Sequence, residues 1–236
     1  MKFISESTYS SNVSTICSML NELTPRPDNA DPRAVRLTAA QKRIHAAAME
    51  LYATLGVSRV GVSELASAAG IARGTVYKNV RSADGLFEEV ATQSIVEMTR
   101  RVKASFVGID DPAQQMAVGV RQYIRRAHEE PRWGRFMNCF GFSNATMQAL
   151  WATDPMANLQ AGIESRRYLI TQQQLTTVLG MIAGATLAAM LPVLEGHGTW
   201  RDIGSDTAEL LLIALGLTRE EAFALARVPL PSLPLA

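Results

Sequence analysis

The residues best suited to chemistry lie between Gly61 and Val80, in the run GVSELASAAGIARGTVYKNV. After Gly70 come Arg73, Thr75, Tyr77, Lys78 and Asn79, set around the apolar Val76 and Val80 and followed by Arg81. At helical spacing the polar set faces outward while Val76 and Val80 turn inward. An arginine can fork onto a guanine edge or clamp a phosphate. A threonine can donate to a base edge or lay its methyl against that of thymine. Tyrosine, lysine and Arg81 suit phosphate oxygens, which position a protein without specifying sequence. Gly74 keeps this face low, so that backbone can approach a groove. The chemistry that fits is recognition of double-stranded DNA. The alternative is an ordinary corner between two helices with a solvated, charged face.

Such residues need a scaffold. Val62–Ala69 reads as one short helix, Gly70 as the tight turn, and Ala72–Val80 as a second helix. Leu65 and Ala66 would meet Val76 and Val80 in a small shared core, with Ala69 allowing close approach; this is helix-turn-helix spacing. A second helix of about nine residues would be ~13 Å long and fit a major groove ~12 Å wide. Ahead of it, Ile44, Ala47, Ala48, Leu51, Tyr52 and Leu55 form one apolar helical face, with Thr38 and Gln41 as a capping box and Gly56 as the stop. His45 falls off that stripe and is expected to be exposed. Behind the motif, Ser82 caps a helix carrying Leu86, Phe87, Val90, Ile95 and Met98 to about Phe106.

Beyond Pro112 every segment reads helical. Met116, Val120, Tyr123 and Ala127 make one face, and Trp133, Phe136, Met137 and Phe140 another. Thr171 and Gln174 box the start of a long apolar helix to Leu194, which Pro192 should break at its end. Ser205–Leu217 is a further helix, and Thr218 with Glu221 caps a last one to Arg227. Pro229, Pro231 and Pro234 make a proline-rich tail, residues 229–236. No strand alternation is visible, so the fold class is all-α. Residues 1–36, rich in Ser, Asn and Thr and ending in TPRPDNADPR, read as a flexible extension in which Val13–Leu23 could form a short helix.

The totals narrow the function. Of 236 residues 47% are hydrophobic, enough for a sizeable core. Net charge is only +1, but residues 36–103 carry ten Lys/Arg against six Asp/Glu, so positive charge gathers around the motif. Two cysteines, Cys17 and Cys139, read as reduced thiols. The three histidines are scattered, with no zinc spacing, so no metal and no cofactor is expected. There is no phosphate loop and no nucleophile elbow, and the acidic pairs Glu129–Glu130 and Glu220–Glu221 point apart on a helix; an enzyme is therefore not expected. The N-terminus lacks the apolar stretch of a signal peptide. Leu175–Leu194 has the length of a membrane span and no charge, yet its Ala, Gly and Thr content and Pro192 fit a helix packed inside a helical interface; no membrane association and a cytoplasmic location are expected.

Thr38–Gly56, then VSELASAAGIARGTVY, then SADGLFEEV resembles the N-terminal domain of the tetracycline-repressor (TetR) family. The matches in register are Leu51, Tyr52, Gly56, Val62, Leu65, Ala66, Ala69, Gly70, Ile71, Gly74, Thr75 and Tyr77. The resemblance implies a three-helix DNA-binding domain over residues 37–98. It implies a larger helical effector-binding and dimerisation domain over 99–228. It also implies a homodimeric repressor whose effector releases a near-palindromic operator. The chain departs from the family where Ala72 replaces a capping Ser or Thr, where Val80 replaces an aromatic residue, where Ala83 replaces a phosphate-binding Lys, and at Gly61. An effector-free regulator controlled by a protein partner is the alternative.

For an apolar or aromatic effector, Trp133, Phe136, Met137, Phe140 and Trp151, with Phe142 and Met147, form the candidate cluster, and Arg121 is the candidate for an anionic group. The bland readings are an ordinary core for the rings and solvated surface for Arg121 and Arg125. Cys139, one turn after Arg135, is read as a packed core cysteine rather than a redox sensor. Gly180, Gly184 and Ala188 recur every four residues, which suits close packing of two helices across a two-fold interface.

Overall fold

The computed structural model describes residues 37–80, 82–142 and 145–234, and the backbone alone for 83, 84 and 145–152. The expected Val13–Leu23 helix, Cys17 and Arg81 lie outside the described residues. Among the described residues ten α-helices follow one another: α1 (Ala39–Leu55), α2 (Val62–Ala69), α3 (Arg73–Asn79), α4 (Ala83–Ala104), α5 (Pro112–Glu129), α6 (Pro131–Phe140), α7 (Ala145–Glu164), α8 (Leu175–Leu194), α9 (Trp200–Ala214) and α10 (Arg219–Arg227). Short 3₁₀ turns occupy Val57–Arg59 and Gln172–Gln174, and no strand occurs among the described residues.

Local chemistry sets these boundaries. Gly56 ends α1 in left-handed backbone at φ 81°, where a Cβ is disfavoured. The Ser82 hydroxyl accepts from the Gly85 N–H (3.0 Å) at the start of α4. Asp111 accepts from the Ala113 N–H (3.0 Å), with Pro112 at the first position of α5. Helix α9 begins at Trp200, five residues before the expected Ser205, because Thr199 accepts from the Asp202 N–H (3.1 Å) and so acts as the cap. Pro192 does not stop α8, which continues to Leu194. A proline in the last turn forfeits one hydrogen bond that a fraying end makes poorly in any case.

Helix α5 is the hub of the C-terminal bundle, burying Met116, Ala117, Val120, Ile124 and Ala127 against its neighbours. It also carries buried cations. Arg126, only 3% exposed, reaches Glu97 of α4 (3.1 Å) and Glu130 (3.1 Å). The α5 N-terminus is pinned by Arg167, whose guanidinium forks onto Asp111 (2.8 and 3.0 Å) and reaches Glu221 of α10 (2.8 Å). Hydrogen bonds from Arg167 hold the Asp111 carboxyl below its ordinary range.

Residues 229–234 are not a free tail. The carbonyls of Val228, Pro231 and Pro234 accept from Arg121 Nη1 (2.7 Å), Gln122 Nε2 (2.8 Å) and Arg101 Nε (2.8 Å), all three donors being buried. Acceptors three residues apart match the three-residue turn of an extended proline-rich strand. The prolines therefore form a strap across α5 to α4.

Helix α8 is apolar all round, with a mean hydropathy of 2.0 over its best window, and is long enough to cross a membrane by length and composition. Its buried side presents Val178, Ile182, Leu187 and Met190, whereas Gly180, Met181, Ala188 and Leu191 are exposed.

Candidate nucleic-acid interface

The head is built from three short helices around one small core. Ile44, Ala47, Ala48 and Tyr52 of α1 pack with Leu65, Ala66 and Ala69 of α2 and with Val76 of α3, all buried. Val80 is half-buried at the edge of this core. Gly70 makes the turn in left-handed backbone, φ 61° and ψ 42°, and the Ile71 N–H closes it onto the Ala66 carbonyl (3.0 Å). Arg43 of α1 then donates from Nη2 to the Gly70 carbonyl (2.8 Å), fixing the angle between α2 and α3. At Gly61 the backbone N–H donates to Glu64 (3.1 Å), so half of a capping box survives without a hydroxyl. Ala72 leaves α3 with no side-chain cap.

Helix α3 turns Val76 inward and presents Arg73, Gly74, Tyr77 and Lys78 to solvent, Tyr77 at 69% exposure. Thr75 and Asn79 are half-buried, and Asn79 Nδ2 donates to the Thr75 carbonyl (2.7 Å). Asn79 therefore spends a donor inside the helix, where the sequence pointed it outward. A Cβ added at Gly74 would meet nothing within 4 Å, so no packing within the chain requires glycine there.

An aromatic relay joins this head to the body. Tyr52 meets Phe87 edge to face (5.4 Å between centroids), Phe87 meets Phe140 (5.2 Å) and Phe136 (5.9 Å), and Phe136 meets Phe140 (5.3 Å). Beside it His45 is buried, 3.4 Å from Glu89. His45 was expected on the surface. Burial lowers its pKa, with Glu89 and Gln93 opposing.

The candidate effector residues fall in two places. Trp133, Phe136 and Met137 are fully buried, Phe140 is half-buried, and Trp133 packs on Tyr123 (5.9 Å) with the Arg126 guanidinium over its ring (4.5 Å). Trp151 and Met147 lie on α7, their side chains outside the described residues. Arg121 lines a different feature, a cleft shared with Arg125 and Trp200, and it is buried rather than solvated. Cys139, expected in the core, is exposed because α6 turns it away from the Trp133 face. Arg43 and Arg126 carry structural duties that no motif announced; only the fold reveals their acceptors.

Residues 44–90 match the model of the family described as "Bacterial regulatory proteins, tetR family". Residues 111–228, half of the chain, match "Tetracyclin repressor-like, C-terminal domain". An uncharacterized HTH-type transcriptional regulator of Mycobacterium tuberculosis is 26% identical over 98 residues, 42% of this chain. The chain spans about half the length of the curated relatives it matches (48%). Among solved structures, the regulator RolR in complex with resorcinol is 25% identical with a TM-score of 0.64, covering 83% of this chain and 96% of that one. A tetR-family regulator from Shewanella sp. PV-4 is 17% identical with a TM-score of 0.66, covering 77% and 100%. FadR of Bacillus subtilis in complex with stearoyl-CoA is 17% identical with a TM-score of 0.62, covering 72% and 97%. The chain belongs to the tetracycline-repressor (TetR) family of bacterial regulatory proteins.

Proposed function

We propose that the chain is a homodimeric repressor, acting in the cytoplasm, that a small aromatic or apolar effector releases from a near-palindromic operator. The observation that carries this reading is the exposed polar face of α3, with Arg73, Tyr77 and Lys78 in solvent and Thr75 half-buried beside them, on a head whose core joins the body through Phe87. The dimer reading rests on α8 and α9. Met181, Ala188 and Leu191 of α8 and Leu210 of α9, the last 63% exposed, form apolar surface that a soluble monomer would leave wet. A second copy would cover it, and two α3 helices would then sit about one DNA turn, ~34 Å, apart.

The effector reading rests on the region of Trp133. Its Nε1, Gln122 Oε1, and Arg126 Nε and Nη1 are buried without hydrogen-bond partners. Such groups are costly unless water or a ligand satisfies them. A ring with a hydrogen-bonding substituent suits that mixture, and the 25%-identical RolR is known with resorcinol. The test is titration of a labelled fragment from upstream of the chain's own gene, with and without resorcinol and related phenols. Two protomers per site and release by one of these rings support the reading. One protomer per site, or a complex that none of them dissociates, contradicts it.

A further inference from the structure

Helices α5, α9 and α10 and the strap border an open cleft of about 530 Å³, whose lining includes Arg121, Arg201, Trp200 and Leu230 together with the carboxylates of Asp202 and Asp206. Its charges are uneven. Arg227 is neutralised by Asp206 (3.0 Å) and Glu209 (2.6 Å), and Arg125 by Glu129 (2.7 Å). Asp202 takes the hydroxyl of Thr199 (2.6 Å) in the α9 cap. Arg201 lies over the Trp200 ring (4.4 Å) and Arg121 gives Nη1 to the Val228 carbonyl; neither has an acidic partner among the described residues. Arg121 is only 7% exposed and its Nε is unpartnered.

An arginine stays protonated, and burying a cation without a counter-charge is costly. An anion in the cleft would supply the missing charge. The size of the cleft decides between a bare ion and an organic one. Ligand pockets span roughly 300–1,000 Å³, far more than a phosphate fills. The indole of Trp200 and the side chains of Pro229 and Leu230 give it apolar walls. Those walls are held in place, since the strap is bonded to Gln122 and Arg101 beyond the cleft.

We propose that this cleft is a binding site for a small organic carboxylate, its charge met by Arg121 and Arg201 and its apolar body lying against Trp200 and Leu230. The site is distinct from the interior region of Trp133 and does not depend on the effector reading above.

Calorimetric titration of the purified full chain with sodium benzoate and sodium hexanoate tests it, with benzyl alcohol and sodium phosphate as comparators at matched ionic strength. Saturable binding of a carboxylate is expected, with both comparators about tenfold weaker or more, because the charged hydrogen bonds require the carboxylate and the walls require the body. Arg201→Ala, on the surface, should weaken binding about tenfold, and Arg121→Met should do so at least as strongly. If Arg121→Met does not fold, Arg201→Ala decides. Absence of binding by both carboxylates, phosphate binding as tightly as they do, or unchanged affinity in Arg201→Ala overturns the assignment.

Discussion

Phe87 and Phe140 meet edge to face with ring centroids 5.2 Å apart, and this contact joins the helix that follows the recognition motif to the body of the protein. Phe87 also meets Tyr52 of α1, so one ring touches both the head and α6. The contact gives α6 a direct packing route to the start of α4, immediately behind α3. Shortening the half-buried Phe140 to leucine should remove two aromatic pairs, with Phe87 and with Phe136, together worth about 1–3 kcal/mol. Operator affinity is expected to hold within about threefold, a shift smaller than that energy could produce if it bore on DNA contacts directly. The effector concentration needed for release should rise. Equal effector response in Phe140→Leu and wild type would show that the relay transmits nothing.

The head was legible in the sequence because its geometry is local. Val62–Ala69, the Gly70 turn and the inward Val76 follow from periodicity and one left-handed glycine. What escaped depends on partners remote in sequence. His45 lies off the stripe of α1, yet α4 covers it. The strap read as a tail because its acceptors are backbone carbonyls, which every residue possesses. Arg121 read as surface because the residues that bury it follow more than 75 positions later, on α9, α10 and the strap.

Gly74 separates folding from recognition. Alanine there meets no atom of the chain within 4 Å and should raise stability by about 0.5–1 kcal/mol through helix propensity. If the glycine serves close approach to the groove, Gly74→Ala should bind operator more weakly while melting at a higher temperature. Wild-type affinity in that variant would remove the role given to Gly74.

Gly162 makes the opposite case. A Cβ at this position would clash with the ring edge of Tyr168, which is buried and donates its hydroxyl to Asn158 Oδ1 (2.9 Å). Gly162→Ala should destabilise the fold by about 1–3 kcal/mol, the usual cost of overpacking. Urea denaturation measures it; a midpoint equal to wild type would mean that the loop after α7 yields freely.

His45 should give the fold an acid-side weakness. Burial lowers its pKa in the folded chain, so below the ordinary value of about 6.5 the unfolded chain takes up more protons than the folded one. The stability associated with the neutral ring is thus fully present above that pH and is lost as pH falls through the lower folded value. His45→Gln should flatten the fall in urea midpoint between pH 7 and 5. Parallel curves for the two proteins would show that another group is responsible.

In the proposed repressor, α3 binds DNA through Arg73 and Tyr77. The most direct measurement is equilibrium binding of the chain to a fragment from its own promoter region across a salt series. Wild type should bind with an affinity that falls steeply as salt rises, and Arg73→Ala should lose about 1–3 kcal/mol. Tyr77→Ala should weaken binding with little change in melting temperature, since that ring is 69% exposed. Absence of binding at low salt, or affinities unchanged in both variants, would show that α3 is not the DNA-binding element.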